Sequence, residues 1–244
     1  MHTALREARD TLVPDLAGRH GPLPPLLLGL TLVTGLVDAF SYLALGHVFI
    51  ANMTGNVVFM AFSLAGAKGF SLIASLVSLL SFAAGALLSG RVGNLRTPVH
   101  RARLLLSTTA FQVVLVLAAL LADELIDRPS AGWGRAVLIV LLGLAMGAQN
   151  ATARRLAVPD LTTTVLTLTI TGVAADSRVA RGEGSKAGRR VLSVAAMFLG
   201  ALAGAALVVG EHRPALSLLA AAVLLAGVTA ALVPFRRSDL AWTR

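Results

Sequence analysis

A chain of 244 residues that is 56% hydrophobic and only 14% charged, with a mean hydropathy of +0.80, lies well outside the roughly 25% charged content of soluble domains and reads as an integral membrane protein. Cysteine is absent, which excludes disulfides, thiolate catalysis and cysteine-ligated metal. The formal charge of +9 would suit nucleic acid, but the basic residues sit in short loops between apolar runs with no aromatic interleaving. That is how loop charges orient a protein in a lipid bilayer, so the bilayer and no nucleic acid is the expected partner.

The apolar runs are long and continuous, without the short alternating segments of a membrane barrel, and they predict an all-α, polytopic transmembrane bundle. Residues 1–22 carry mixed charge, Arg6, Arg9 and Arg19 against Glu7, Asp10 and Asp15, and read as a cytosolic tail. Pro22, Pro24 and Pro25 then set up a helix start, and the run 26–45 is too long for a signal-peptide core, so it is an uncleaved first span. Its end is unusual. In GLVDAFSYL, Asp38, Ser41 and Tyr42 fall at i, i+3 and i+4 on one helix face, at a depth where polar groups are costly.

The next unit, 50–65, is shorter than the roughly twenty residues needed to cross a bilayer and holds Asn52, Thr54, Gly55 and Asn56 in its first third. In 70–90, Ser81, Gly85 and Ser89 stand four apart, the small-residue spacing of close helix contact. A basic loop (Arg91, Arg96, Arg101, Arg103) leads to the run 104–122, followed by an acidic linker, 123–132, with Asp123, Glu124 and Asp127. Trp133 opens the next run as an interfacial anchor, and 136–151 ends in GAQNATARR, with Gln149, Asn150, Arg154 and Arg155. The unit 161–174 is again short and is rich in threonine (Thr162, Thr163, Thr164, Thr167, Thr169, Thr171). A glycine-containing basic loop, 176–190, precedes the runs 191–210, with Gly200 and Gly204, and 214–233; the tail 234–244 is read as cytosolic.

The two short units occupy matching places. Gly35, Asp38 and Ala39 superpose on Gly147, Asn150 and Ala151 at an offset of 112 residues, one inserted residue sets Thr54 on Thr167, and Phe82 resembles Phe198. Two halves follow, 23–122 and 133–233. If all eight units crossed, 14 of the 21 Lys/Arg would lie inside; with the short units entering and leaving on one side, 17 lie inside and only Lys68, Arg128, Arg135 and Arg213 outside. The second arrangement follows the positive-inside bias. It implies six full spans plus two short or re-entrant helices, three crossings per half, and therefore an inverted-topology repeat whose short helices approach from opposite faces and meet in a shared interior.

The combination GLVDAFSYL, ANMTGN and GAQNA, followed by Arg154 and the threonine-rich segment, resembles the YoaK family of bacterial inner-membrane proteins. The resemblance covers most of the chain and implies a polytopic protein of the bacterial inner (cytoplasmic) membrane whose biochemical role the family leaves unassigned. Opposite Thr54 and Gly55 the second half reads Thr167 and Leu168, a departure from the pair expected there.

These residues lead to a small-solute or ion permease with a central polar site built from Asp38, Ser41, Tyr42, Asn52, Thr54, Asn56, Gln149, Asn150, Thr163 and Thr167. Asp38 reads either as a proton or cation site or as a hydrogen-bonded lock between helices, Asn52 either as a ligand or as a helix cap, and Gln149 and Asn150 either as ligands or as interhelical glue. The alternative function is a non-transporting scaffold, or a lipid- or partner-binding membrane protein, whose polar groups only hold the bundle. The Gly200 and Gly204 face would serve a homodimer or packing within one chain. No nucleophile–base pair is visible, so no enzyme activity is expected; the five scattered histidines make no metal site, no cofactor is called for, and Gly184, Ser185 and Lys186 lack the phosphate-loop pattern.

Overall fold

The computed structural model describes residues 2–95, 100–126, 132–164, 166–175, 187–211 and 213–244. The expected loop charges Arg96, Asp127, Arg128 and Lys186, the rest of 176–186 and His212 lie outside them. Among the described residues there are helices and no strands. In chain order they are α1 (His2–Leu12), α2 (Leu23–Ala44), α3 (Met53–Leu64), α4 (Leu72–Leu95), α5 (Arg101–Leu125), α6 (Gly132–Leu156), α7 (Leu166–Ala175), α8 (Ala187–Ala205, prolonged by a π-turn over Ala206–Gly210) and α9 (Pro214–Leu232). Six of them, α2, α4, α5, α6, α8 and α9, are long and apolar enough to span a membrane, and α3 and α7 are too short.

Prolines start two of the long helices: Pro24 and Pro25 stand in the first turn of α2 and Pro214 opens α9, where the missing N–H has no intrahelical partner to lose. α2 and α6, the first helix of each half, are the most buried spans and form the centre. Around them α4 packs on α6 and α8 on α2, α5 packs on α6 and α9 on α2, α3 packs on α4 and α7 on α8, and α5 meets α9. Exchanging α2–α5 with α6–α9 turns this set of neighbours into itself.

The equivalence extends to single atoms. A Cβ on Gly35 would stand 2.5 Å from the Met197 carbonyl oxygen and 2.6 Å from the Ala201 nitrogen. One on Gly147 would strike the Phe82 carbonyl, with the Ala86 nitrogen at 2.9 Å. From the other side, Gly85 lies on the Leu144 carbonyl and Gly200 on the Leu32 carbonyl. These contacts align Phe82 with Met197, so the Phe82 and Phe198 match read from sequence is one residue out of register. They also use up the small-residue faces: Ser81 and Gly85 pack against α6, while Gly200 and Gly204 pack against α2 of the same chain, which removes the sequence motive for a homodimer on that face.

The short helices enter from opposite ends of the bundle. The His47 ring bonds the Gly69 carbonyl at 3.0 Å and the Ser63 hydroxyl accepts the Leu72 amide at 3.1 Å, so the α3 unit begins and finishes at one end. The α6 N-terminus is there too, with Arg135 donating to Ser71 at 3.2 Å. At the other end of α6, Asp160 pairs with Arg190 of α8 at 2.8 Å, closing the α7 unit on its own side.

The terminal tails, expected as plain cytosolic segments, are docked at that same end. Glu7 of α1 accepts the Gly188 amide at 3.1 Å. Arg101 donates to the Leu156 carbonyl at 2.6 Å and to Trp242 at 3.3 Å, and Arg103 donates to the Arg236 carbonyl at 2.7 Å. Trp242 is fully buried, 5.2 Å from Phe235 and directly over Gly21, whose backbone (φ +46) leaves the ring no Cβ to meet. Trp242→Ala should therefore free the tail: trypsin cleavage after Arg236 and Arg237 is expected to speed up by about tenfold or more, since removing a buried Trp costs about 3–5 kcal/mol locally. An unchanged cleavage rate would show that the tail is held without the indole.

Candidate functional site

After α2 ends at Ala44 the chain turns back alongside it, and a stretch of backbone outside any helix lies at the level of Asp38. Lipid offers no water for such amides, so the protein must satisfy them. It does so with Asp38. One carboxylate oxygen accepts the Ile50 amide at 2.9 Å and the Ala51 amide at 2.8 Å, just ahead of the first turn of α3. A carboxylate at a helix N-terminus also complements the helix dipole, and the Asn52 side chain makes no cap there.

Asn56 secures the same turn-back. Its side-chain oxygen accepts the Phe49 amide at 2.9 Å and its nitrogen donates to the Phe49 carbonyl at 2.6 Å and to the Ser78 hydroxyl at 3.1 Å, while Ser78 donates to Phe49 as well, at 2.6 Å. Both polar groups of the Phe49 backbone are thus paired inside the protein. Tyr42 stacks on the Phe49 ring at 4.9 Å and meets His47 edge-on at 5.0 Å. Ser41 bonds back to the Asp38 carbonyl at 3.2 Å within its own helix, so neither Ser41 nor Tyr42 is the partner of the carboxylate.

In the second half Asn150 stands where Asp38 stands in the first, and its side-chain oxygen accepts the hydroxyl of Thr164, just ahead of α7. Its nitrogen donates to the Met146 carbonyl at 3.0 Å. Beside it, Thr163 holds φ +64, a region that disfavours β-branched residues, and its buried hydroxyl has no partner among the described residues.

A third polar group joins α2, α5 and α6. Gln112 donates to Gln149 at 2.8 Å, and Gln149 donates to the Thr34 hydroxyl at 2.9 Å and to the Leu30 carbonyl at 3.3 Å. All three side chains are buried, and the Gln112 side-chain oxygen has no donor among the described residues. Thr34 lies one helical turn from Asp38 on the same face of α2. One turn along α5 from Gln112, the Thr108 hydroxyl is 2.8 Å from that of Thr152, which is 2.9 Å from that of Ser89. Ser89 and Thr152 border a cavity of about 300 Å³ between α4, α5 and α6, with Asn94, Arg154 and Arg155 at its wall. A seam of polar side chains therefore leads from that cavity to the buried carboxylate.

The expected single cluster of ten residues is not formed. Asp38, Ser41, Asn56, Gln149 and Thr163 are buried and Tyr42 and Asn150 half-buried, whereas Asn52, Thr54 and Thr167 are exposed. Thr54 and Thr167 belong to helices that bury one residue each among the described side chains, Asn56 in α3 and Thr169 in α7, and Asn52 immediately precedes α3, so most of either short helix turns outward. Nor do the two short helices share an interior; each packs on the long helix that follows it. Thr34, Ser78, Thr108, Gln112 and Thr152 were missed. Thr34 and Gln112 had a signal, the first four residues before Asp38 and the second the one amide in the run 104–122.

Among the described residues no three His, Asp or Glu side chains gather as a metal site. The arrangement defines a class: a polytopic integral membrane protein with six helices long and apolar enough to span, two short apolar ones, and polar side chains that satisfy the backbone ahead of the short helices and form a seam between the long ones. The chain belongs to the family described as a protein of unknown function (DUF1275), whose model matches residues 26–231. It is similar to the UPF0700 transmembrane protein YoaK of Bacillus subtilis (strain 168), 32% identical over 155 residues, which is 62% of this chain and 65%, slightly under two thirds, of the relative. No solved structure matches.

Proposed function

We propose that the protein is a permease for a small polar solute or ion in the bacterial inner membrane, with both termini cytosolic and two halves related as an inverted repeat. The path is the polar seam, opening at the Ser89 and Thr152 cavity, passing Gln112, Gln149 and Thr34, and ending at Asp38. The observation that carries this reading is the line of polar side chains, each bonded to the next or one helical turn from it, between the cavity and the carboxylate, inside helices that are otherwise apolar. Hydrogen bonds between helices average only about 0.6 kcal/mol each and are used freely as helix contacts, so what supports the reading is their alignment in one line and not any single pair. The exposed Arg6, Arg9, Arg19, Arg91, Arg154, Arg155, Arg236 and Arg237 gather at the mouth end, which supports assigning it to the cytosol.

The test is flux into proteoliposomes with a panel of ions and small metabolites. Wild-type protein is expected to move at least one of them, and Gln149→Met, which interrupts the seam with an apolar side chain of similar length, should reduce that flux by about tenfold or more. Asp38→Asn separates proton or cation coupling from passage, because the amide can still accept the two backbone bonds. If no solute moves, or if both variants transport like wild type, the reading fails.

A scaffold without transport is the second reading, favoured by the engagement of Asp38 and Asn56 with the turn-back of their own half. It predicts that a Cys placed at Thr152 or Gln112 in this naturally Cys-free chain never reacts with aqueous thiol reagents, whereas the permease predicts reaction from the mouth inward.

A further inference from the structure

The cavity between the ends of α4, α5 and α6 concentrates hydrogen-bond donors and positive charge beyond what orientation in a bilayer requires. Two guanidinium groups, Arg154 and Arg155, stand at its wall with Asn94 and the hydroxyls of Ser89 and Thr152, and its lining holds no carboxylate. Among the described residues the ion pair present is Arg190 with Asp160, at the α7 unit, and neither cavity arginine meets a carboxylate among them. Arg155 is held by the Asn94 side-chain oxygen through one of its nitrogens, which fixes the fork and leaves its other N–H groups for a ligand. Arg154 makes no hydrogen bond among the described residues. The carbonyl oxygen of Asn94 is thus committed, and what the lining offers is donors and positive charge.

We propose that this cavity is a binding site for a phosphate group, gripped by the guanidinium groups of Arg154 and Arg155 with the hydroxyls of Ser89 and Thr152 at its floor. Guanidinium forks match the paired oxygens of phosphate, and hydroxyls supply the short bonds its remaining oxygens take. Arg154 and Arg155 are the last basic residues of a membrane-spanning helix, and the hydroxyls lie within a turn of them toward the interior, which is headgroup depth. Gly90 makes the room: a Cβ there would meet nothing within 4 Å. The phosphate is either that of an anionic phospholipid or that of a soluble phosphate compound, and the inference holds whether or not the protein transports.

The purified full chain is measured in two arms. Titration calorimetry in a phosphate-free zwitterionic detergent uses inorganic phosphate and glycerol phosphate, and native mass spectrometry compares retention of phosphatidylglycerol with that of diacylglycerol, which carries no phosphate. At least one arm is expected to give saturable, phosphate-dependent binding at one site per chain. Phosphatidylglycerol alone assigns the lipid source, and the soluble compounds alone assign the other. The double variant Arg154→Gln with Arg155→Gln should weaken that binding by about tenfold or more, as loss of charge-assisted bonds requires. Gly90→Leu fills the cavity without altering its charge and should give the same loss; because α4 has open space there, it also serves where the arginine variant does not fold. Binding equal in wild type and Gly90→Leu, or no phosphate-dependent binding in either arm, overturns the proposal.

Discussion

Asp38→Leu should cost about 2–6 kcal/mol of folding stability, because it leaves the Ile50 and Ala51 amides without an acceptor at a depth where no water replaces it, at roughly 1–3 kcal/mol each. Leucine is close to aspartate in size and apolar, so the loss comes from those two donors and not from a hole in the packing. The expected failure is local first: the turn-back ahead of α3 would leave the protein interior, and with it the clasp between Asn56, Phe49 and Ser78. Asp38→Asn retains an oxygen in the same place and should cost no more than about 1 kcal/mol, the difference between a charge-assisted bond and a neutral one. Thermal unfolding in detergent measures both. A Leu variant as stable as the Asn variant would mean that the two amides find another acceptor and that the carboxylate is kept for something other than the fold.

The pair of variants also bears on function. If Asp38 served the turn-back alone, Asp38→Asn would leave every other property intact, and loss of flux in a protein of unaltered stability would assign the carboxylate a second task. One residue then carries both the closure of the re-entrant unit and the end of the polar path. Such double use is the physical reason why an intramembrane carboxylate cannot be read from its position alone.

The six long apolar helices and the two short ones were legible because each rests on a property of the local sequence: length of apolar run and proline placement. What was not legible is where the polar residues of the short helices point. Asn52, Thr54 and Asn56 looked alike in sequence, yet Asn56 is buried and clasps a backbone seven residues earlier while Asn52 and Thr54 face outward. Rotation of a twelve-residue helix is settled by its one packed side, here the α4 side with Ser78, and nothing within ANMTGN announces Ser78. Gln112 and Gln149 are likewise 37 residues apart in the chain and bond across two helices. Their pairing depends on the crossing of α5 and α6, which local pattern does not specify. Nothing in the tail's own sequence announces the docking of Trp242, whose partner is the bare backbone of Gly21 near the opposite end of the chain.

That crossing geometry is itself open to test at the four glycines. Alanine at Gly147 would set a methyl against the Phe82 carbonyl, with the carbonyl carbon at 2.8 Å, and alanine at Gly85 would stand 2.8 Å from the Leu144 carbonyl carbon. The obstructing atoms are backbone, not flexible side-chain ends, so the helices themselves must separate, which costs about 1–3 kcal/mol or more per site. Without water in the bilayer core, close backbone approach is a main source of helix association, and separation by even one methyl forfeits contacts along the whole crossing. Gly35→Ala and Gly200→Ala, at the equivalent crossing of α2 with α8, should cost similar amounts. The control is Gly227→Ala in α9, where an added Cβ meets nothing within 4 Å and better helix propensity should leave stability equal or higher. Since Gly35 and Gly200 form one contact, the double alanine variant there should lose less than the sum of its parts, whereas pairing Gly35→Ala with Gly147→Ala should be additive. Unfolding midpoints that do not separate these two pairs would refute the matched crossings, and with them the internal repeat on which the two-half description of the bundle depends.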